Sequence, residues 1–161
     1  MSVIATARRT SSATRQAFLV GIFLLPAIDL SLRIEGYVRA RRRWVPDRPP
    51  ALDSVAPEQA ELARQLATGV AIAARRIPWP ATCLRQAILL ERLLTSRGIP
   101  CVLRIGVSND ALVIADSAGS SSARFASAGT PPAFGAHAWV EVGGEVVLGG
   151  SVTSLHYHPL L

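Results

Sequence analysis

Apolar residues along this chain keep two different periods. Between Pro57 and Ile77 they recur every three or four positions, at Leu62, Leu66, Val70, Ala73 and Ile77, which places them on one face of a helix. The helix is expected to stop ahead of Pro78, whose ring disfavours helical geometry at the residue before it. A further helix is expected in TCLRQAILLERLLTSRGIP (82–100), with Thr82 in the N-cap position and Gly98 as a left-handed stop. Cys83, Ala87, Leu90 and Leu94 share one stripe of it, so the cysteine lies on the core-facing side of the first turn. After RGIP the period drops to two: Cys101, Leu103, Ile105 and Val107 point one way, Val102 and Arg104 the other, as in a strand. ALVIA (111–115) reads as a short strand, followed by a flexible loop of small and polar residues. AFGAHAWVEVGGEVVLGG (133–150) then predicts two strands joined by Gly143-Gly144, a dipeptide suited to a two-residue hairpin turn. Helices first and antiparallel strands after predict an α+β domain.

Upstream, Ser12 to Arg43 reads as a first helical region, and WVPDRPPALDSVAP (44–57) as a Pro-rich linker. The expected organisation is an N-terminal helical region with its linker over 1–56 and a core over 57–161. Arg8, Arg9 and Arg15 precede the apolar run Ala17 to Ile28, an order resembling the charged and hydrophobic parts of a signal peptide. That run is broken by Pro26 and is far shorter than the roughly 20 residues a spanning helix needs, and no small-residue cleavage site follows cleanly. An amphipathic or buried helix is therefore expected, with a cytoplasmic location, ahead of two alternatives, surface association with a membrane and a cleaved signal.

Composition narrows the classes further. Half of the 161 residues are hydrophobic, enough for one domain with a two-layer core and too many for a chain disordered throughout. The net charge of +6 comes entirely from arginine against the carboxylates, but aromatic residues are only 6 %, too few for a base-stacking surface, so no nucleic-acid partner is expected. The run Arg39 to Arg43 reads as a solvated face. Two cysteines, Cys83 and Cys101, are too few for a disulfide framework and lack metal-ligand spacing, and no metal or cofactor is expected. Cys101 reads as a buried strand residue.

Cys83 is the chemically interesting thiol, because the unpaired N–H groups and macrodipole of a helix N-terminus favour negative charge and can also hold an oxyanion. A nucleophile needs a base. Of three histidines, His156 and His158 lie in the tail SLHYHPLL and read as surface residues, whereas His137 sits inside the strand GAHAWVEV with Trp139 and Glu141 on its face. Trp139 reads as core or as a pocket wall.

The order CLRQAILLERLLTSRGIPCVLRIGV, a variable loop, then AHAWVEVGGEVVLGG resembles the transglutaminase-like cysteine peptidases of lasso peptide biosynthesis, the B2 or leader peptidase proteins. The resemblance covers roughly residues 57 to 155. It implies a papain-like or transglutaminase-like core, with Cys83 as nucleophile, His137 as base and the Cys83 N–H as an oxyanion donor. It further implies cleavage of the leader from a ribosomally made precursor, freeing the core peptide's α-amine for macrolactam formation. The implied partners are the precursor, a separate leader-recognition protein of the B1 type, and the macrolactam cyclase as a further candidate.

The pattern breaks at the third group. The family usually carries an Asp about a dozen residues after the histidine to orient the imidazole, and this chain has VVLGGSV there. If Gly143-Gly144 is a two-residue turn, Val142 faces Glu145, Glu141 faces Val146, Trp139 faces Leu148 and His137 faces Gly150, so the expected acid would stand at Gly149 or Gly150. The alternatives are a neutral orienting group such as a backbone carbonyl, a water or Ser151, an acid from elsewhere such as Asp110 or Asp116, or an inactive protein. Two functions compete with the leader peptidase: a noncatalytic scaffold of the same pathway, and a transglutaminase-like enzyme of other specificity.

Overall fold

The computed structural model describes residues 11–46, 55–79, 81–109, 134–149 and 158–159. Three helices precede an antiparallel sheet: α1 (Ser12–Trp44), α2 (Pro57–Ala74), α3 (Cys83–Thr95), β1 (Val102–Asn109), β2 (Phe134–Val142), β3 (Glu145–Leu148) and the two-residue β4 (His158–Pro159). The sheet order is β3-β2-β1-β4. The expected ALVIA strand and the loop after it lie outside the described residues.

Local chemistry accounts for the helix ends. The Ser11 hydroxyl accepts from the Thr14 N–H at 3.1 Å, capping α1. Pro57 occupies the first turn of α2, where its missing N–H is no loss, and the Ala56 N–H donates to the Gln59 side chain at 3.2 Å. Thr82 takes the extended N-cap geometry of α3, but its side chain makes no capping bond. Gly98, with φ of 68°, turns the chain out of α3 as expected. The region read as one helix from Ser12 is broken at Gly36, whose φ of 74° and ψ of 173° interrupt the helix and re-aim its last turns. Those turns carry the arginine run, and the break corrects its reading: Arg39, Arg42 and Arg43 are exposed, but Arg41 turns inward.

The helices form one core. Ala17, Leu25 and Ile28 of α1, Leu66 and Val70 of α2, and Ala87, Leu90 and Leu94 of α3 are all fully buried in a single cluster. α1 and α2 touch backbone to side chain, since a Cβ added at Gly69 would stand 2.4 Å from the Thr14 carbonyl oxygen and 2.7 Å from the Ala17 Cβ. Three polar ties fasten α1 to α3. Asp29 pairs with Arg85 at 2.6 Å. Arg41 grips Glu91 with two hydrogen bonds, of 2.6 and 3.0 Å, and Glu91 is only 1 % exposed. Arg92 donates to the Trp44 carbonyl at 2.7 Å while its guanidinium lies over the Trp44 ring. The Glu91 hydrogen bond raises the Arg41 guanidinium further above its ordinary range, which keeps the arginine charged.

α3 lies against one face of the sheet. Cys101 just before β1, Leu103 and Ile105 of β1, and Ala138, Val140 and Val142 of β2 join the helical core, and the register sets Leu103 opposite Val140 and Ile105 opposite Ala138. The alternation expected for β1 is observed from Cys101 to Ile105, the side chain of Val107 lying outside those described, and Cys101 is buried at 4 % exposure. Because successive strand residues point to opposite faces, His137, Trp139 and Glu141 lie on the other side of the sheet. Gly143 and Gly144 both have positive φ, 58° and 83°, and close the hairpin in two residues.

The register expected from that turn holds for its first two pairs, Val142 with Glu145 and Glu141 with Val146, and then slips. Val140, not Trp139, faces Leu148. Val147 is the extra residue, a bulge that moves everything after it one position along β2.

Candidate functional site

Cys83 is the first residue of α3 and half-buried, packed against the rim of the core. The Thr82 carbonyl accepts from the Arg85 and Gln86 N–H groups at 3.1 and 3.2 Å, the first bonds of the helix. The N–H groups of Cys83 and Leu84 precede that ladder and have no intrahelical acceptor, so they are the donors a negative charge at this helix end would meet. Two residues on, Arg85 is bound by the buried carboxylate of Asp29.

His137 stands at the same end of the molecule. β1 leaves the C-terminal end of α3 and runs back antiparallel to it; α3 is about 20 Å long at helical rise, and the five steps from Cys101 to Gly106 cover about 17 Å. Gly106 is the direct partner of His137, so the imidazole lies near the level of the Cys83 turn with no side chain opposite it on β1. Level is not contact. His137 projects from the sheet face away from the helices, and the Cys83 thiol makes no hydrogen bond among the described residues.

The imidazole is oriented by the backbone. His137 Nε2 lies 2.9 Å from the Gly149 carbonyl oxygen. A carbonyl only accepts, so Nε2 carries the proton and donates, and in the neutral ring Nδ1 carries the lone pair. Trp139 stacks beside the ring, with centroids 6.2 Å apart and planes 19° apart. The indole N–H donates to Glu141 at 2.7 Å, and Arg104 reaches the same carboxylate from β1 at 3.5 Å. His137, Trp139, Glu141 and Arg104 therefore form one connected row across the sheet. Glu141 shares the face of His137, as the alternation predicts, and its carboxylate is engaged by Trp139 and Arg104.

Past the Val147 bulge Gly149 lies on the backbone of Trp139, and from there its carbonyl meets the imidazole. Gly149 has φ of 88°, and a Cβ there would stand 2.9 Å from the Trp139 Cβ and 3.0 Å from the Ala138 carbonyl oxygen. Only glycine fits this backbone as it lies, which gives the absent acid a physical context. In the sequence, the sole trace of this arrangement is a glycine pair where an aspartate was expected. Among the described residues no group of three His, Cys, Asp or Glu side chains is placed to hold a metal. Asp110, Asp116, Gly150, Ser151 and His156 lie outside the described residues, as does the side chain of His158.

With this geometry established, comparison with known proteins adds a family. Residues 24–115 match the Transglutaminase-like superfamily, more than half of the chain. The chain belongs to the transglutaminase-like superfamily. The superfamily typically includes cysteine-based enzymes, and an α+β arrangement with a cysteine opening a helix packed on an antiparallel sheet accords with that membership. The match takes in Cys83 and most of α1, and it ends before the strand that bears His137. No curated protein and no solved structure matches the chain.

Proposed function

We propose that this superfamily member is the leader peptidase of a lasso peptide pathway, acting by Cys83–His137 thiol chemistry. The observation that carries the proposal is the hydrogen bond from His137 Nε2 to the Gly149 carbonyl. It holds the ring in one orientation and one tautomer, with Nδ1 able to take a proton, which is the task the expected aspartate would otherwise perform.

In this mechanism the Cys83 thiol gives its proton to Nδ1, and Sγ attacks the carbonyl carbon at the end of the leader. The oxyanion is met by the Cys83 N–H at the start of α3. Collapse breaks the peptide bond, the imidazolium returns its proton to the departing amine, and water attacks the thioester carbon, losing its proton to Nδ1; the C–S bond then breaks and Sγ recovers that proton. The products are the leader acid and a core peptide with a free α-amine. Cys83 and His137 are not in contact in this structure, so the mechanism requires the two to be brought together in the complex with substrate. A carbonyl orients the ring but offers an imidazolium no full negative charge. Loss of the orienting aspartate costs about 10⁴ in a serine triad, so slow turnover is expected here. The proposed partners are the precursor peptide, a separate leader-recognition protein and the macrolactam cyclase, in the cytoplasm.

The position of His137 on the far face of the sheet favours one competing reading, a noncatalytic scaffold of the same pathway. Precursor peptide incubated with the chain and its recognition partner, followed by mass spectrometry, separates the two. Release of free core peptide by the wild type and none by Cys83→Ala is the expected result. Equal, background release by both leaves the scaffold, and a new isopeptide bond in place of hydrolysis identifies a transferase.

A further inference from the structure

The outer face of α1 is apolar and bare. Leu19, Phe23, Leu30 and Ile34 are 57, 75, 59 and 73 % exposed. At about 100° per residue they fall within about 60° of one another, forming a stripe about 22 Å long from Leu19 to Ile34. Val38, 61 % exposed, follows beyond the Gly36 break. Isolated exposed apolar side chains are ordinary; a continuous row along one helix marks a surface that meets something. The other large apolar residues exposed among those described, Trp79 and Val146, lie away from α1 and are less open, at 40 and 39 %.

Charge around the stripe has one sign. The two carboxylates of α1 are withdrawn: Asp29 is held by Arg33 and Arg85, and Glu35 by Arg43, with side chains only 12 and 22 % exposed. Arg15, one turn before Leu19, and Arg39 and Arg42, beyond the break, are exposed and carry no ion pair among the described residues. What α1 presents outward is therefore a hydrocarbon row between arginines. We infer that α1 docks on an anionic lipid surface, lying in the plane of the bilayer, with the Leu19–Ile34 stripe among the acyl chains and the arginines at the headgroups.

The fold decides between lying and spanning. α1 is long and apolar enough to cross a membrane by length and composition. However, its inner face is committed to the protein, through Ala17, Leu25 and Ile28 in the core and through Asp29 to Arg85. Crossing would strip that face from α2 and α3, whereas lying on the surface uses only the face that is free. A single helix also presents a convex ridge rather than a groove, which suits the boundary of a bilayer. A second copy of the chain laid on the ridge would bring its own arginines against these, an arrangement opposed by like charge.

The test is flotation of the purified full chain with vesicles of phosphatidylcholine alone and of phosphatidylcholine with phosphatidylglycerol. The inference predicts binding to the anionic vesicles, little to the neutral ones, and weakening as salt is raised. The double variant Phe23→Glu with Ile34→Glu should bind about tenfold less, because two large apolar side chains no longer enter the lipid. Its circular dichroism and melting temperature should match the wild type, since both positions are exposed. Cys83→Ala should float like wild type, which makes the outcome independent of any peptidase activity. Equal binding to both lipids, unchanged binding by the double variant, or a wild-type dimer that the variant splits would each overturn it.

Discussion

Helix α3 is enclosed and α1 is not. α3 has α1 and α2 on one side and β1 and β2 on the other, so even the charged Glu91 is buried, and its residues from Ala87 to Thr95 are covered almost without interruption. α1 is longer, rests mainly on α2 and α3 among the described residues, and leaves five large apolar side chains in the open. Hydropathy does not explain the difference; position in the layers does. A helix between two layers spends its apolar residues on the core, and a helix on the outside keeps a face for something else.

The most damaging challenge to this comparison is at the tie between the two helices. Glu91→Ala should leave Arg41, whose side chain is 37 % exposed, without its carboxylate and cost about 1.5–3 kcal/mol, read as a loss in chemical denaturation midpoint. A smaller loss would mean that Arg41 escapes to water and that α1 is held by packing alone. Gly69→Ala should come next. Alanine gains up to about 1 kcal/mol in helix propensity over glycine. The new Cβ, however, would stand 2.4 Å from a backbone carbonyl that cannot swing aside, and overpacking of this kind costs about 1–3 kcal/mol. Net destabilisation, seen as a lower melting temperature, is the expected sign.

On the outer face the expected effect on stability is close to nothing. Phe23→Glu should shift the unfolding free energy by no more than about 0.5 kcal/mol, in contrast to any substitution of Leu90 on α3, where truncation to Ala should cost about 2–5 kcal/mol. A large effect of Phe23→Glu on folding would show that the face is covered after all. The smallest expected effect depends on pH. Glu61, fully exposed on α2, has its carboxyl held below the usual 4.5, first by the Gln65 hydrogen bond and then by Arg64. A group with a depressed folded pKa stabilises the fold above its unfolded value and loses that contribution as the pH falls through the folded value. The small gap in melting temperature between wild type and Glu61→Gln should therefore close below about pH 4.5.

Most elements were legible because their signals are local. Pro57 and Gly98 mark helix ends by their own backbone restrictions, and Gly143-Gly144 supplies the two positive φ values a tight hairpin needs. The alternation around Leu103 identifies the core face of β1 without any knowledge of the helices. The misses have the opposite character. The break at Gly36 is not visible in a run whose apolar residues continue on both sides of it. The inward turn of Arg41 depends on Glu91, fifty positions later in the chain. The bulge at Val147 adds one residue to a ladder whose first two pairs behave as the turn dictates, and no feature of EVVL announces it.

The sequence by itself determined that a cysteine opens an amphipathic helix, that a histidine sits in a strand of the following sheet, and that no acid stands where one was expected. These are matters of residue identity and short-range period. Only the tertiary structure decided what holds the histidine and what α1 exposes. A one-residue slip between β2 and β3 sets which atom meets the imidazole, and here it is the Gly149 carbonyl. The stacking of α2 and α3 sets which side of α1 is covered. Both depend on how distant segments pack, and a hydrophobic period records only that a face is apolar, not whether another layer reaches it.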